Sequence, residues 1–375
     1  MSRGSWWDLP GPNGFVGDVL NALEDGCSVI LALPPSAPDG LHDSLVTELD
    51  GRGTLRWRTV DLAGSKKIAQ AMADELIPLA RRSPRSLGDE IVLDPGLRTT
   101  VIHITGISEN NRFREFAAFF AEFLSGVRKA KAQRGVPRLI FDLPHGLLRD
   151  PKIEANPNAV RILEWTGRVS PSDMHLYVGS QMQGRQGPGP TNLFERIVIE
   201  FAGWDPRLAD ELIKWNDDDL LAPQRRLEAL AVDWSRTRLA WQEGTQDWFG
   251  ARKLGHILYH LAIDDHEEIN RRLWRAHVAE IFPWLEEMRV YLIDQFFGEI
   301  RLPHVLQTEE VINDASLLEI GQLYWNLKYS AGLPDWRLSL VDLCRRARND
   351  LAHRRPVDTV RLRRLEHEWK KLEAC

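Results

Sequence analysis

Residues 1–202 carry a succession of short apolar runs separated by longer segments of helical period. Ser28-Val29-Ile30-Leu31-Ala32-Leu33 comes just after Gly26 and ends at Pro34-Pro35. A run of that length, with β-branched residues at its centre and chain breakers at its ends, reads as a buried strand. Further strands are expected at Leu55 to Leu62, Thr100 to Thr105, Arg138 to Leu143, His175 to Gly179 and Arg196 to Phe201. Between them, Asn111 to Lys131 sets Phe113, Phe116, Phe119, Phe120, Phe123 and Val127 along one side of a helix. Such a stripe is core packing against a sheet. Strands alternating with helices predict an α/β domain built on a mostly parallel, helix-covered sheet.

This order of parts resembles the P-loop ATPases of the AAA+ or STAND type. In that resemblance the first strand leads into a phosphate loop. Asp142, closing Leu139-Ile140-Phe141-Asp142, stands where a magnesium-holding carboxylate would. Glu200-Phe201-Ala202-Gly203-Trp204-Asp205-Pro206 looks like the entry to a helical lid. The loop itself departs from the pattern. A phosphate cradle uses glycines, backbone amides and a Lys-Ser/Thr pair. Here Leu33-Pro34-Pro35-Ser36-Ala37-Pro38-Asp39-Gly40 contains three prolines, each without an amide hydrogen. No G-x-x-x-x-G-K-[ST] occurs, and Gly64-Ser65-Lys66-Lys67 has the wrong order. The expectation is a degenerate P-loop-like domain over 1–202, a helical lid or linker over 203–268, no cofactor and no ATPase activity.

Residues 269–375 read as helical. Arg271 through Arg289 begins an amphipathic segment that continues to Phe297, a second helix is expected from Glu309 through Leu323, and a third follows the Gly332-Leu333-Pro334 break. On that third helix Leu340, Cys344, Ala347 and Leu351 form an apolar stripe. Asn349 and His353 share a face, and His353 lies about 160° round from Leu351, taking roughly 100° per residue. Arg348-Asn349-x-x-x-His353, the Ile281-Phe282-Pro283-x-Leu285-Glu286-x-x-Arg289 core and the stop at Pro356 resemble the HEPN family of helical RNA-cleaving toxins and defence proteins. The fold class implied is an α/β N-terminal domain with an all-α, HEPN-like C-terminal bundle.

What that resemblance implies is metal-independent endoribonuclease activity in phage defence or as a toxin, by attack of the RNA 2′-hydroxyl on its own phosphate. Arg348 would stabilise the phosphorane charge, His353 would be general acid or base, Asn349 would orient the phosphate or imidazole, and Asp350 would support them. RNA would be the substrate, a homodimer would complete the site, and a defence-system protein would be a further partner. The alternative is a non-catalytic HEPN-like scaffold serving a separate ATPase or nuclease. A nucleotide sensor that binds without hydrolysis is a third reading.

Composition sets the outer limits. With 375 residues, 43% hydrophobic and 27% charged, the chain is long enough for two or three domains with real cores. The N-terminus has no signal-peptide stretch, no run is apolar enough to span a bilayer, and Cys27, Cys344 and Cys375 are too scattered for a disulfide framework or zinc spacing. A cytoplasmic setting without membrane contact is expected. The net charge is −6, yet residues 345–375 hold ten Lys and Arg against five Asp and Glu, so that this end is basic on an acidic body. His260, Asp264, Asp265, His266 and Glu267 have a metal-like composition, but Asp265 with Glu268 reads as a helix cap, and no metal is expected. Gly184 to Pro190 reads as a flexible surface loop.

Overall fold

The computed structural model describes residues 4–64, 67–78, 86–107, 110–130, 135–143, 158–185, 187–232, 238–306, 308–330 and 333–374. The chain divides into two compact units, Met1–Asp173 with Arg238–Leu254, and Met174–Thr237 with Gly255–Cys375.

In the first unit α1 (Gly4–Trp7) and α2 (Pro10–Glu24) lead into β1 (Ser28–Ala32). Then come α3 (Leu41–Arg52), β2 (Arg56–Asp61), α4 (Ile68–Leu76), α5 (Leu87–Leu93), β3 (Thr100–Thr105), α6 (Asn110–Ala130), β4 (Arg138–Asp142) and β5 (Val160–Glu164). The five strands pair in the order β2-β3-β4-β1-β5, all parallel. Ile30 stands opposite both Phe141 and Ile162, and His103 opposite both Thr59 and Ile140. β1, covered on both faces, is buried at every residue, whereas β2 at the sheet edge is largely exposed. The phenylalanine stripe of α6 lies on the sheet, with Phe116 and Phe120 edge-on to Phe141 at 4.8 and 5.2 Å. A two-stranded sheet of β6 (Gln246–Phe249) and β7 (Arg252–Gly255) returns to this unit. The buried Asp247 carboxylate pins β6 by accepting from the Gly167 amide at 2.7 Å and the Trp248 amide at 2.6 Å.

Two expected strands are helices. His175 to Gly179 falls within α7 (Pro171–Met182), started by a proline in its first turn and by Asp173, which accepts from the Ser170 amide and hydroxyl. Arg196 to Phe201 falls within α8 (Leu193–Ala202). Residues 193, 194 and 197–202 are all buried, so the helix is apolar nearly all round, and a short piece of it has no periodicity to tell it from a buried strand.

The second unit continues with α9 (Pro206–Ile213), α10 (Asp217–Leu221), α11 (Gln224–Ala231), α12 (Ile257–Ala262) and the long α13 (Glu267–Gln295). After these come a small ladder of β8 (His304–Val305) and β9 (Val311–Ile312), then α14 (Ile320–Lys328), α15 (Asp335–Ala352) and α16 (Thr359–Glu373). The helix expected from Glu309 starts only at Ile320. Asp314 accepts from the Ser316 amide and turns the chain there, and a Glu319–Gln322 capping box then opens α14. The cap expected at Asp265 is likewise absent. Its carboxylate takes His260 Nδ1 at 2.9 Å and Arg271 at 3.3 Å, and α13 begins without a side-chain cap. The glycine-rich stretch after Gly184 is packed rather than loose. Arg185 donates to the Ile213 and Trp215 carbonyls and to Asp217, and a Cβ on Gly187 would meet the Phe194 ring at 2.1 Å. Gln186 lies outside the described residues.

At the centre of this unit Arg272 is 1% exposed. Its guanidinium donates to Glu268 at 3.0 Å and to the Glu200, Phe201 and Gly255 carbonyls, tying α13 to α8 and to Gly255, two residues before α12. Glu268 is shared with Arg271 and Arg275, and Glu200 with Arg196 and Arg275. Nearby on α13, His277 is fully buried, and its Nδ1 accepts from the Val357 amide at 3.0 Å, while Nε2 meets no partner among the described residues. Arg272→Ala would leave a buried carboxylate short of its cation and three carbonyls without their donor. It should cost about 3–5 kcal/mol, seen as an earlier urea transition of the second unit with the sheet of the first unit unaffected.

Candidate functional site

The chain passes from one side of the sheet to the other at β1, which lies between β4 and β5 while β2 sits at the far edge. Open parallel sheets bind ligands in the crevice beyond the carboxyl ends of their strands at such a point. A crevice of about 570 Å³ opens there, lined by the loop after β1, the first turn of α3, the ends of β3 and β4, and Gly106. Its floor is shaped by close approach. Gly106 has φ +75°, and a Cβ there would stand 2.3 Å from the Ala63 amide nitrogen. Thr105 donates to Asp61, which also accepts from the Ala63 amide, so that the β2 and β3 ends are locked together.

The loop from Leu33 to Gly40 holds the place expected for a phosphate loop. It turns through a hydrogen bond from Ala37 to Pro34 and reaches α3 through Gly40, whose φ of +88° suits glycine. Ser65 and Lys66 of the second candidate stretch lie outside the described residues. Where a lysine would be expected, the crevice presents His42, in the first turn of α3. Its Nε2 is 3.4 Å from Asp142 at the end of β4, and the two side chains are 30% and 51% exposed. Behind it the His42 and His103 rings meet at 4.0 Å, tilted by 30°, and Trp57 stands 5.2 Å from His103. Burial pushes the His103 imidazole down to about 4. The neighbouring His42 adds to this, and Asp142 opposes it. The result is a neutral imidazole supporting a half-exposed His42–Asp142 pair. The sequence marks Asp142 as a strand-end carboxylate but does not signal its partners, because the members come from α3, β2, β3 and β4 and meet only in the folded sheet.

The motif residues of the second unit lie on α15 and its C-cap. Arg348 Nη2 donates to Glu319 at 3.1 Å and lines a groove of about 440 Å³ with Arg289, Phe282 and Leu317. Asp350 faces the other way, paired with Arg361 and, at 3.7 Å, with Arg355. Asn349 is half-buried in the last turn of α15. His353 is the exposed C-cap, its amide bonded to the Asn349 and Asp350 carbonyls, and its ring has no hydrogen-bond partner among the described residues. Arg348, Asp350 and His353 therefore each meet a different environment, and the apolar stripe through Leu340, Cys344, Ala347 and Leu351 is buried. Among the described residues no cluster of His, Cys, Asp or Glu suits a metal ion, and no helix is long and apolar enough to cross a membrane.

No family model and no curated protein matches the chain. Among solved structures it is similar to a variant of RuvB from Thermotoga maritima, at 16% identity over 87% of this chain and 99% of that one, with a TM-score of 0.36. It is also similar to the FIGL-1 AAA domain, at 12% identity over 64% and 80% with a TM-score of 0.30. A third is the Drosophila ORC bound to DNA, at 10% identity over 96% and 70% with a TM-score of 0.30. At these identities and TM-scores the likeness assigns neither a family nor a role, and the parallel α/β character of the first unit rests on its own strand pairing. The expected enzyme class is corrected by these neighbours. One is named as an AAA domain and none is named for RNA cleavage, and the expectation of an endoribonuclease without ATPase activity is withdrawn. The physical reason lies in the first unit, where a proline-rich loop that departs from the glycine-lysine pattern still borders an open crevice.

Since His103 in the folded chain lies below its ordinary 6.5, it favours folding above that pH and loses that contribution as pH falls towards 4. His277, pushed down by burial to about 3, acts in the same direction, and Asp247, pushed up to about 6, acts oppositely between pH 4 and 6. The non-titrating His103→Asn should therefore flatten the fall in Tm between pH 6.5 and 4, without abolishing it.

Proposed function

We propose that this chain is an AAA+-like, nucleotide-responsive regulatory protein. Its first unit takes the phosphates of a nucleotide into the crevice beyond β1, β3 and β4, and its second unit is a helical module that does not cleave RNA. The observation that carries the reading is the placement of the His42–Asp142 pair at the carboxyl end of the sheet, beside a loop and a helix start. The α3 amide end favours negative charge. His42 supplies an imidazole donor, and Asp142 supplies a carboxylate that can face a phosphate-bound magnesium ion. The non-cleaving role of the second unit is supported by the Arg348–Glu319 and Asp350–Arg361 ion pairs, which occupy groups that a cleavage site would leave open to RNA.

The test is binding of a fluorescent ATP analogue in magnesium, with ATP and ADP as competitors. His42→Ala should weaken binding roughly tenfold, on the scale of one charge-assisted contact of about 1.4 kcal/mol. Asp142→Ala should remove the magnesium dependence. Tm should rise with nucleotide concentration in the parent chain. A parent chain that binds no nucleotide at millimolar concentration, or an Asp142→Ala variant with unchanged magnesium dependence, would sink the reading.

A further inference from the structure

The seam between α15 and α16 gathers cations more closely than their neutralising partners allow. Arg346 from α15 and Arg361 and Arg364 from α16 line one cleft of about 440 Å³. Asp342 serves both Arg345 and Arg346, and Asp350 serves both Arg355 and Arg361. Each carboxylate is thus divided between two guanidiniums. Arg364 meets only the Ser339 hydroxyl, at 3.2 Å, and no carboxylate pairs with it among the described residues. Asp358, which also lines the cleft, is already engaged by the Val360 and Arg361 amides as the cap of α16. One turn before Ser339 on α15, Trp336 carries the Lys371 ammonium over its ring at 4.3 Å. Between Arg364 and Lys371 on α16 stand two acidic residues, Glu366, which pairs with Lys370, and Glu368.

We infer that this seam binds single-stranded nucleic acid through its phosphates. Arg346, Arg361, Arg364 and Lys371 follow the length of α16, and the ten residues from Arg361 to Lys371 span about 15 Å at roughly 1.5 Å per residue. That length suits a few successive phosphates rather than one small anion. Guanidiniums short of carboxylates offer the planar fork that phosphodiesters accept. Trp336 at the end of the row carries Lys371 at 4.3 Å and Arg337 at 5.4 Å over its ring, so that a base stacks there by displacing a cation, and a basic track with an aromatic platform is how unpaired strands are held without sequence preference. An acidic peptide would satisfy the charges but would have no use for the ring. The inference is independent of the nucleotide crevice in the first unit, and no cleavage is involved.

The experiment is fluorescence anisotropy of labelled oligothymidylate and oligouridylate, about sixteen nucleotides long, titrated with the full chain over a range of salt. Binding should weaken with salt at a log–log slope of about 0.7 per phosphate contacted, giving roughly −2 to −3 for three or four contacts. Arg346→Gln with Arg364→Gln should weaken binding roughly tenfold or more and reduce the slope by about 1.4. Arg363→Gln, on the side of α16 that pairs with Asp218, should change neither. Trp336→Leu should weaken binding while leaving the slope unchanged. Circular dichroism and Tm check that each variant is folded. The inference is overturned if the parent chain does not bind, if the double variant keeps its slope, or if oligoglutamate of equal charge displaces the strand as well as unlabelled strand does.

Discussion

The second unit is organised around one guanidinium. A helix 29 residues long, such as α13, needs only an apolar stripe to pack, yet in its second turn stands Arg272, almost wholly enclosed. Burying a charge is unfavourable unless every donor is matched, and here the carbonyls at the end of α8, the Gly255 carbonyl and the Glu268 carboxylate together match it. Because those acceptors come from α8, from Gly255 and from α13 itself, the arrangement is satisfied in only one mutual orientation. Apolar packing alone would tolerate small slips of one helix on another. The surrounding Arg196, Glu200, Arg271 and Arg275 extend the same demand outward.

In the first unit the constraint is of a different kind. The parallel sheet aligns the ends of β1, β3 and β4, and whatever residues happen to occupy those ends become neighbours. His42, His103 and Asp142 acquire their relation in this way, through a tilted pair of imidazoles and a carboxylate at the mouth of a crevice. Pro34 and Pro38 of the loop line that crevice, and each lacks an amide hydrogen to offer it.

Much of this was legible in the sequence. The strands at Ser28, Thr100 and Arg138, the phenylalanine face of α6 and the C-terminal helices all announce themselves by length and period. β5 was not anticipated, because Val160–Glu164 alternates weakly and lacks a marked apolar run. α8 was misread as a strand for the opposite reason, being apolar on too many sides. Of the His42–His103–Asp142 group the local sequence marks only Asp142, since its members are 39 to 100 residues apart. The Arg348 motif is visible as letters, yet letters do not tell which neighbour each side chain takes. Glu319, lying 29 residues earlier, is the neighbour of Arg348, and Arg361 that of Asp350.

The contact between His277 and Val357 has a consequence for tautomerism. An imidazole that receives an amide hydrogen at Nδ1 must keep a lone pair there, so its own hydrogen is confined to Nε2. The ring thus has one permitted proton arrangement out of three, and the segment between α15 and α16 is fastened by that lone pair. Adding a proton at Nδ1 would turn an acceptor into a donor facing a donor, and the fastening would become a repulsion.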